Sequence, residues 1–428
     1  MTVERTMETQ LFSLDEAVQH DGDERTKRIL FVDEDPTFLD NLKALLRHVP
    51  SAWHMSFRTT ARDALLELDR NDFDVIVTGV RLSDMGAHEL LTEVLRRYPL
   101  VVRIAFSRGM QPELAIRTVN PAHQYLMVPC DAATLRKSLE AAFRIRTMLV
   151  SPRLKTLISR ITSLPSLPAV HDKLIASLND PEISSRALGE IIAKDVALTS
   201  KILQITNSSF FGLYRYIASP SEAAVYLGVD TIRALTLSAG VFAAFRQTGL
   251  PRAFIEKLQS HSTVTGTVAG AIASAEGLVK RASDTSMVAG LLHDIGKLVL
   301  ASNYPKEYSD MLSTAGKDGL SASEAEQQCF GETHAEIGAY LLWLWGFPDP
   351  VCSAVAYHHQ PSLCSAEHFT AAGAIHVADA LDHEAEGSGI IAEMDKNYLT
   401  SLGLAGRVSE WRGIWLEQAR RAEEVGRF

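Results

Sequence analysis

The sequence predicts two folds in one chain: an α/β domain over residues 27–147 and an all-helical domain over residues 151–428. Three observations predict it. Short apolar runs alternate with amphipathic stretches from Lys27 onward. Beyond Ser151 almost only helical periodicity remains. Pro152 sits where one pattern gives way to the other, and proline does not continue a helix. Residues 1–26 precede both patterns and read as a polar leader, with acidic residues scattered through them.

The first domain follows in order. RILFV (28–32) is a strand, then Pro36 and the amphipathic FLDNLKALLRHV (38–49). HMSF (54–57) and the helical ARDALLELDR (61–70) come next, followed by strand DVIVT (74–78) and helix HELLTEVLRRY (88–98). Strand VVRIAF (101–106), a helical stretch near Glu113–Val119 and strand QYLM (124–127) continue the alternation. DAATLRKSLEAAFRIRTML (131–149) is the last helix, with Asp131 as its N-cap. Leu135, Leu139, Ala142 and Phe143 give it one apolar stripe, which Ile145 and Leu149 extend toward the second domain. Apolar strands separated by helices argue a parallel sheet covered on both faces. Chemistry in such sheets belongs at the carboxyl ends of the strands.

In the second domain LPSLP (164–168) is a turn-forming entry. Helical segments follow at 170–179, 185–195, 197–207, 221–228 and 229–245, with SSFFGLYRYIASP (208–220) as an aromatic connector. RVSEWRGIWLEQARRAEEV (407–425) closes the chain as an amphipathic helix.

Composition excludes several classes. The net charge of −10 gives no basic footprint for DNA. No apolar run is long enough to span a membrane. The four cysteines form no CxxC pair, so neither a zinc ribbon nor a disulfide framework is supported. Reduced thiols fit a cytoplasmic protein.

FVDEDP (31–36) places Asp33 and Glu34 directly after the first strand. Paired carboxylates there either hold Mg²⁺ or form a solvated turn, and this motif alone leaves both open. The whole alternating pattern resembles a response-regulator receiver domain, which implies a flavodoxin-like (βα)5 fold. Asp33 and Glu34 match its acidic pair, Ser107 and Tyr125 its switch positions, and Pro129 the loop after the fifth strand. The resemblance puts the family's phosphorylated aspartate at Gly79, which carries no carboxylate. The family's lysine falls on Val128, and Ser83 and Asp84 replace the proline and glycine of the loop after the third strand. Thr78 points to the other face of its strand, and Asp84 lies five positions on. A pseudo-receiver with weak Mg²⁺ binding is expected, kept as a packing or dimerisation surface.

The second half carries His261, His293, Asp294, His334, His358, His359 and Asp379 on separate apolar segments. His293-Asp294 is read on a helix starting near Thr285, where adjacent residues point about 100° apart and share one metal only at a helix edge. A single histidine on an apolar helix is more often a core or surface residue than a ligand. Imidazole and carboxylate together suit Fe, Mn, Zn or Ni more than Ca. LPSLP, DVALTSKILQITNSSFFG (195–212), ASPSEAAVYLG (218–228), GLLHDIGKLVL (290–300), HAEIGAYLL (334–342) and YHHQP (357–361) resemble the HDOD domain of the HD superfamily. That resemblance implies metal ligands at His261, His293, Asp294 and Asp379. A second metal would use His334, His358 and His359, as in the related HD-GYP phosphodiesterases. Asp294 and Lys297 would be the catalytic residues of an enzymatic member. The GYP signature is missing, for residues 360–368 read QPSLCSAEH. The first expectation is a bacterial signalling protein acting through contacts with other signalling proteins or a second copy of itself. The second is a metal-dependent phosphohydrolase acting on a cyclic dinucleotide or another nucleotide. A sensor that binds a nucleotide without turnover is a third.

Overall fold

The computed structural model describes residues 26–47, 50–108, 121–128, 131–148, 151–159, 161, 170, 173–174, 177–178, 180, 182–207, 217–237, 252–365, 367–386 and 394–426. The alternation resolves into β1 (Lys27–Val32), α1 (Pro36–Leu45), β2 (Trp53–Arg58), α2 (Ala61–Arg70), β3 (Val75–Gly79), α3 (Ala87–Arg97), β4 (Val102–Arg108), β5 (Gln124–Val128) and α4 (Ala132–Met148). All strand pairs are parallel and their order is β2-β1-β3-β4-β5. That is the doubly wound, flavodoxin-like order. Ile29, Leu30 and Phe31 of β1 and Val75, Ile76 and Val77 of β3 are fully buried, because these central strands are covered on both faces.

Caps set the helix starts more sharply than periodicity does. Asp35 accepts from the backbone N–H groups of Thr37 and Phe38, and Pro36 takes the first helical position. α1 therefore begins two residues before the predicted segment and ends at Leu45. Asp131 caps α4 as expected, accepting from Thr134 N at 2.6 Å. The stripe Leu135, Leu139, Ala142 and Phe143 is buried, with Phe143 edge-on to Trp53 at 5.1 Å. The segment near Glu113–Val119, Leu149, the Ile145 side chain and residues 1–25 lie outside the described residues.

The helical half runs α5 (Pro152–Ser159), α6 (Ser185–Ile192), α7 (Val196–Asn207), α8 (Pro220–Leu237), α9 (Arg252–Ala275), α10 (Lys280–Leu292), α11 (Ile295–Asn303), α12 (Pro305–Asp318), α13 (Ala322–Phe330), α14 (His334–Leu344), α15 (Asp349–Ala356), α16 (Ala371–Glu386), α17 (Lys396–Ser401) and α18 (Val408–Gly426). LPSLP, residues 208–216 and residues 238–251 lie outside the described residues. Gly228, at φ +78°, breaks α8 between the segments predicted at 221–228 and 229–245. Among the described residues no helix is long and apolar enough to cross a membrane.

The two halves meet along α14, against which α4 and α5 both pack. Gln124 on β5 donates to the Trp343 carbonyl at 3.1 Å, near the end of α14. Ser151 N donates to Glu332 Oε1 at 3.0 Å. Arg103 of β4 is buried, and its guanidinium donates to the carbonyls of Pro121 (2.6 Å), Val101 (3.1 Å) and Ser159 (2.8 Å). Ser159 ends α5, so the cation sits at the negative end of that helix. His123 Nδ1 accepts from Arg103 N at 3.1 Å, and its Nε2 faces the Arg103 guanidinium at 2.5 Å and the Ser159 carbonyl at 3.3 Å.

Candidate metal centre

At the carboxyl ends of the strands the acidic pair is split. Asp33 is buried and accepts from Asp35 N at 3.0 Å, whereas Glu34 is exposed. Gly79 ends β3, and a Cβ there would overlap Asp33 Oδ2 and stand 3.2 Å from its Cγ. Asp33 thus occupies the space a residue-79 side chain would need. Asp84 is committed elsewhere: its two carboxylate oxygens accept from Ala61 N and Arg62 N, each at 2.9 Å, at the start of α2. Slight burial works against its charge, but these two N–H groups outweigh it and hold the carboxyl below its usual range. Ser107 on β4 and Tyr125 on β5 sit two positions apart on paired strands, and Val128 ends β5. Their side chains lie outside the described ones.

The seven residues singled out in the helical half converge. His261, His293, Asp294, His334, His358 and Asp379 are buried, and His359 is one-third exposed at the rim. Ligand atoms of three sets lie within 4.8 Å of one another: His261, His293 and Asp379; His293, Asp294 and His358; and His334, His358 and His359. The placement of the doublet corrects the sequence reading. α10 starts at Lys280, not near Thr285, and ends at Leu292. His293 is its C-cap, and Asp294 is the N-cap of α11. The bend between two helices turns both side chains inward, so the 100° problem of one helix does not arise. Asp294 Oδ1 lies 3.5 Å from His293 Nε2 and 3.3 Å from His334 Nε2, central to the group.

Glycines allow this convergence. A Cβ on Gly296 would overlap the His334 carbonyl oxygen and stand 2.8 Å from its carbon. A Cβ on Gly338 would stand 3.2 Å from Gly296 N, so α11 and α14 cross at backbone contact. Gly290 and Gly266 do the same for α10 and α9: a Cβ on Gly290 would be 2.8 Å from Gly266 Cα. The two crossings bring Asp294 to His334 and His293 to His261.

Hydrogen bonds behind the rings fix their tautomers. His261 Nδ1 faces Asp382 Oδ2 at 2.6 Å, His293 Nδ1 the Gly290 carbonyl at 2.7 Å, and His358 Nδ1 the Val355 carbonyl at 2.7 Å. His334 Nδ1 faces Glu326 Oε2 at 2.6 Å. Each partner oxygen accepts, so each Nδ1 carries the proton and each neutral ring turns a bare Nε2 inward. His261 and His293 bring two of these atoms to 3.2 Å, and His359 Nε2 stands 2.9 Å from His334 Nε2, where it can donate. Facing lone pairs repel unless a cation or a proton lies between them. Asp294 Oδ1, Asp379 Oδ1 and His358 Nε2 are buried without a hydrogen-bond partner. Asp379 Oδ1 lies 3.0 Å from His261 Nε2 and 2.9 Å from His383 Nδ1. Such a donor set fits a divalent metal with nitrogen and oxygen ligands. A proton is the competing occupant. Burial opposes a charged His261, but Asp379 and Asp382 outweigh it and push it up to about 10. Burial and the neighbouring imidazoles hold His358 and His359 neutral.

Several residues were missed from the sequence. Glu326, fully buried on α13, accepts from His334 N, His334 Nδ1 and Tyr308 OH. His376 joins the His358 carbonyl to Asp395 N. Asp382 and His383 lie one turn beyond Asp379 on α16, a spacing that could have flagged them. Lys297, which the sequence did single out, donates to Asp294 Oδ2 at 2.8 Å.

Residues 164–361 match the HDOD domain family. An uncharacterized protein of Treponema pallidum is 28% identical over 200 residues, covering 47% of this chain and 38% of that protein. The two-component response regulator ARR12 of Arabidopsis thaliana is 32% identical over 122 residues, covering 28% of this chain and 20% of its own. The chain therefore spans well under half the length of these curated relatives. The crystal structure of the MmoQ response regulator of Methylococcus capsulatus aligns over 58% of this chain and 98% of that one, at 23% identity and a TM-score of 0.43.

Proposed function

We propose that this chain, in which a receiver-type domain is fused to an HDOD domain, is a cytoplasmic signal-transduction protein whose HDOD half holds a divalent transition metal and whose output passes through protein contacts. One observation carries the metal reading. Four imidazoles are locked by their Nδ1 partners so that bare Nε2 atoms face Asp294 and Asp379 across one buried site. His261, His293, Asp294 and Asp379 would hold one ion, and His334, His358 and His359 a second. The receiver-type half supports contact-based signalling rather than phosphotransfer, because Gly79 offers no nucleophile and Asp33 fills its place. Its packing against α14, the helix that begins with His334, gives the two halves a shared element. The partners would be other signalling proteins or a second copy of this chain.

A second reading, a phosphohydrolase of a cyclic dinucleotide or other nucleotide, is favoured by Lys297 beside Asp294 and by His359 at the rim. A metal held there would polarise a phosphoryl oxygen and acidify a water. Lys297 would bind a phosphate oxygen, and the buried wall would exclude bulk water. The test is elemental analysis of protein purified without chelator, with a phosphodiesterase assay on the same sample. Bound metal without turnover is expected. Turnover lost on replacing Asp294 would establish the second reading, and protein without metal would refute both.

A further inference from the structure

We propose that Asp382 is the positioning residue of His261, and that Trp415 of the C-terminal helix α18 holds Asp382 in that role. This rests on the metal reading above. Asp382 and Trp415 lie beyond residues 164–361, outside the segment that matches the HDOD family.

Both oxygens of Asp382 are used, and in different directions. Oδ2 accepts from His261 Nδ1 at 2.6 Å, and Oδ1 accepts from Trp415 Nε1 at 2.9 Å. An indole N–H can only donate, so Oδ1 must accept. The carboxylate is thereby fixed between the two rings, and its second oxygen keeps the His261 proton on Nδ1. That leaves His261 Nε2 bare, 3.2 Å from His293 Nε2 and 3.0 Å from Asp379 Oδ1. A carboxylate behind a ligating imidazole sets its tautomer, orients its ring and raises its basicity. Other residues of α18 also dock it. Trp411, fully buried, donates to Glu276 Oε1 at 2.8 Å and stacks on Phe369 at 5.6 Å. Arg407 also donates to Glu276, at 2.9 Å. The Trp415 hydrogen bond is thus free to serve Asp382, which ties the last helix to the metal centre.

An asparagine at position 382 distinguishes positioning from packing. It keeps the shape but offers one acceptor oxygen and one amide group that donates. Trp415 Nε1–H and His261 Nδ1–H would then compete for that oxygen. If the tryptophan takes it, the amide donates to His261 Nδ1, and the ring proton moves to Nε2, where it blocks a metal. Removing the indole N–H removes the competitor. Zn²⁺ affinity of the metal-free full chain is measured by chelator competition for wild type, Asp382→Asn, Trp415→Phe and the double variant, with folding checked by circular dichroism. Asp382→Asn is expected to weaken Zn²⁺ binding at one site by roughly 10- to 100-fold, the range for such supporting partners. Trp415→Phe is expected to weaken it several-fold. The double variant is expected to bind more tightly than Asp382→Asn alone, a reversal that follows from competition of the two N–H groups for one oxygen. Losses that simply add overturn the proposal, as does unchanged affinity in Asp382→Asn. If Asp382→Asn does not fold, Trp415→Phe alone decides, and unchanged affinity there overturns it. A wild-type chain that takes up no Zn²⁺ removes the metal reading together with this one. Wild-type binding with unaffected variants removes this one alone.

Discussion

Replacing Gly296 with alanine adds a single methyl group, and the structure says where it must go. Its Cβ would overlap the His334 carbonyl oxygen and stand 2.8 Å from the carbonyl carbon and 2.9 Å from Cα. Ordinary carbon–carbon contacts sit near 3.5–4.0 Å, so α11 and α14 must part by about 1 Å. The obstacle is backbone, which cannot rotate away as a side chain can. Overpacking of this kind costs about 1–3 kcal/mol, and a backbone clash belongs at the upper end. Alanine's advantage over glycine within a helix returns about 0.5–1 kcal/mol, leaving a net loss of roughly 2 kcal/mol. The same substitution at Gly316 on α12 is the control, because a Cβ there meets nothing within 4 Å. Gly316→Ala should stabilise the protein by about 0.5–1 kcal/mol. Urea unfolding with unchanged slope reads both. Parting α11 from α14 also draws Asp294 from His334, now 3.3 Å away, so Gly296→Ala should hold less metal while Gly316→Ala holds as much as wild type. If the two alanines shift stability in the same direction by similar amounts, the close crossing is not what holds the site together.

The receiver-type half should gain no acid-labile phosphate from acetyl phosphate and Mg²⁺, and mass spectrometry should find none on Asp84, whose oxygens are bound to Ala61 N and Arg62 N. Gly79→Asp alone should also fail to restore stoichiometric labelling, because Val128 still stands where the bridging lysine is needed; stoichiometric labelling of either protein would contradict that account. Burial first, and then the Arg103 charge, hold the His123 ring neutral well below the usual histidine range. The unfolded chain takes up that proton below about pH 6.5, so this group removes stability as pH falls through 6.5, with a slope of at most about 1.4 kcal/mol per pH unit. His123→Gln should flatten the loss between pH 7.5 and 5.5 relative to wild type, and parallel curves would show that His123 does not titrate on unfolding.

The first fold was legible because β1, β3 and β4 are apolar along most of their length, which leaves few alternatives to a covered parallel sheet. Helix ends were less legible. Asp35 and Pro36 together mark the start of α1, but the apolar period begins only at Phe38 and drew the boundary with it. All seven proposed ligands do converge, from five separate segments of the sequence. What escaped was geometry carried by small or distant residues. LLHDIGK carries no proline at the break between His293 and Asp294, and the close approaches of Gly296 and Gly290 to other helices are visible only in the fold. Glu326 reads as one more charge on an amphipathic helix until it is seen fully buried against His334 and Tyr308. Arg103 sits in a strand of apolar residues, and its carbonyl cage comes from segments as far away as Ser159.

The central claim is that the buried cluster takes a metal through imidazole and carboxylate alone. X-ray absorption at the edge of the metal that co-purifies tests it most directly, because sulfur ligands to zinc lie near 2.3 Å and nitrogen or oxygen ligands near 2.0–2.1 Å. None of Cys329, Cys352 and Cys364 is in the cluster. The expected spectrum has a nitrogen and oxygen shell with outer scattering from several imidazoles, both diminished when His293 and Asp294 are replaced by alanine. A sulfur shell, or a signal that this double replacement leaves undiminished, would contradict the account.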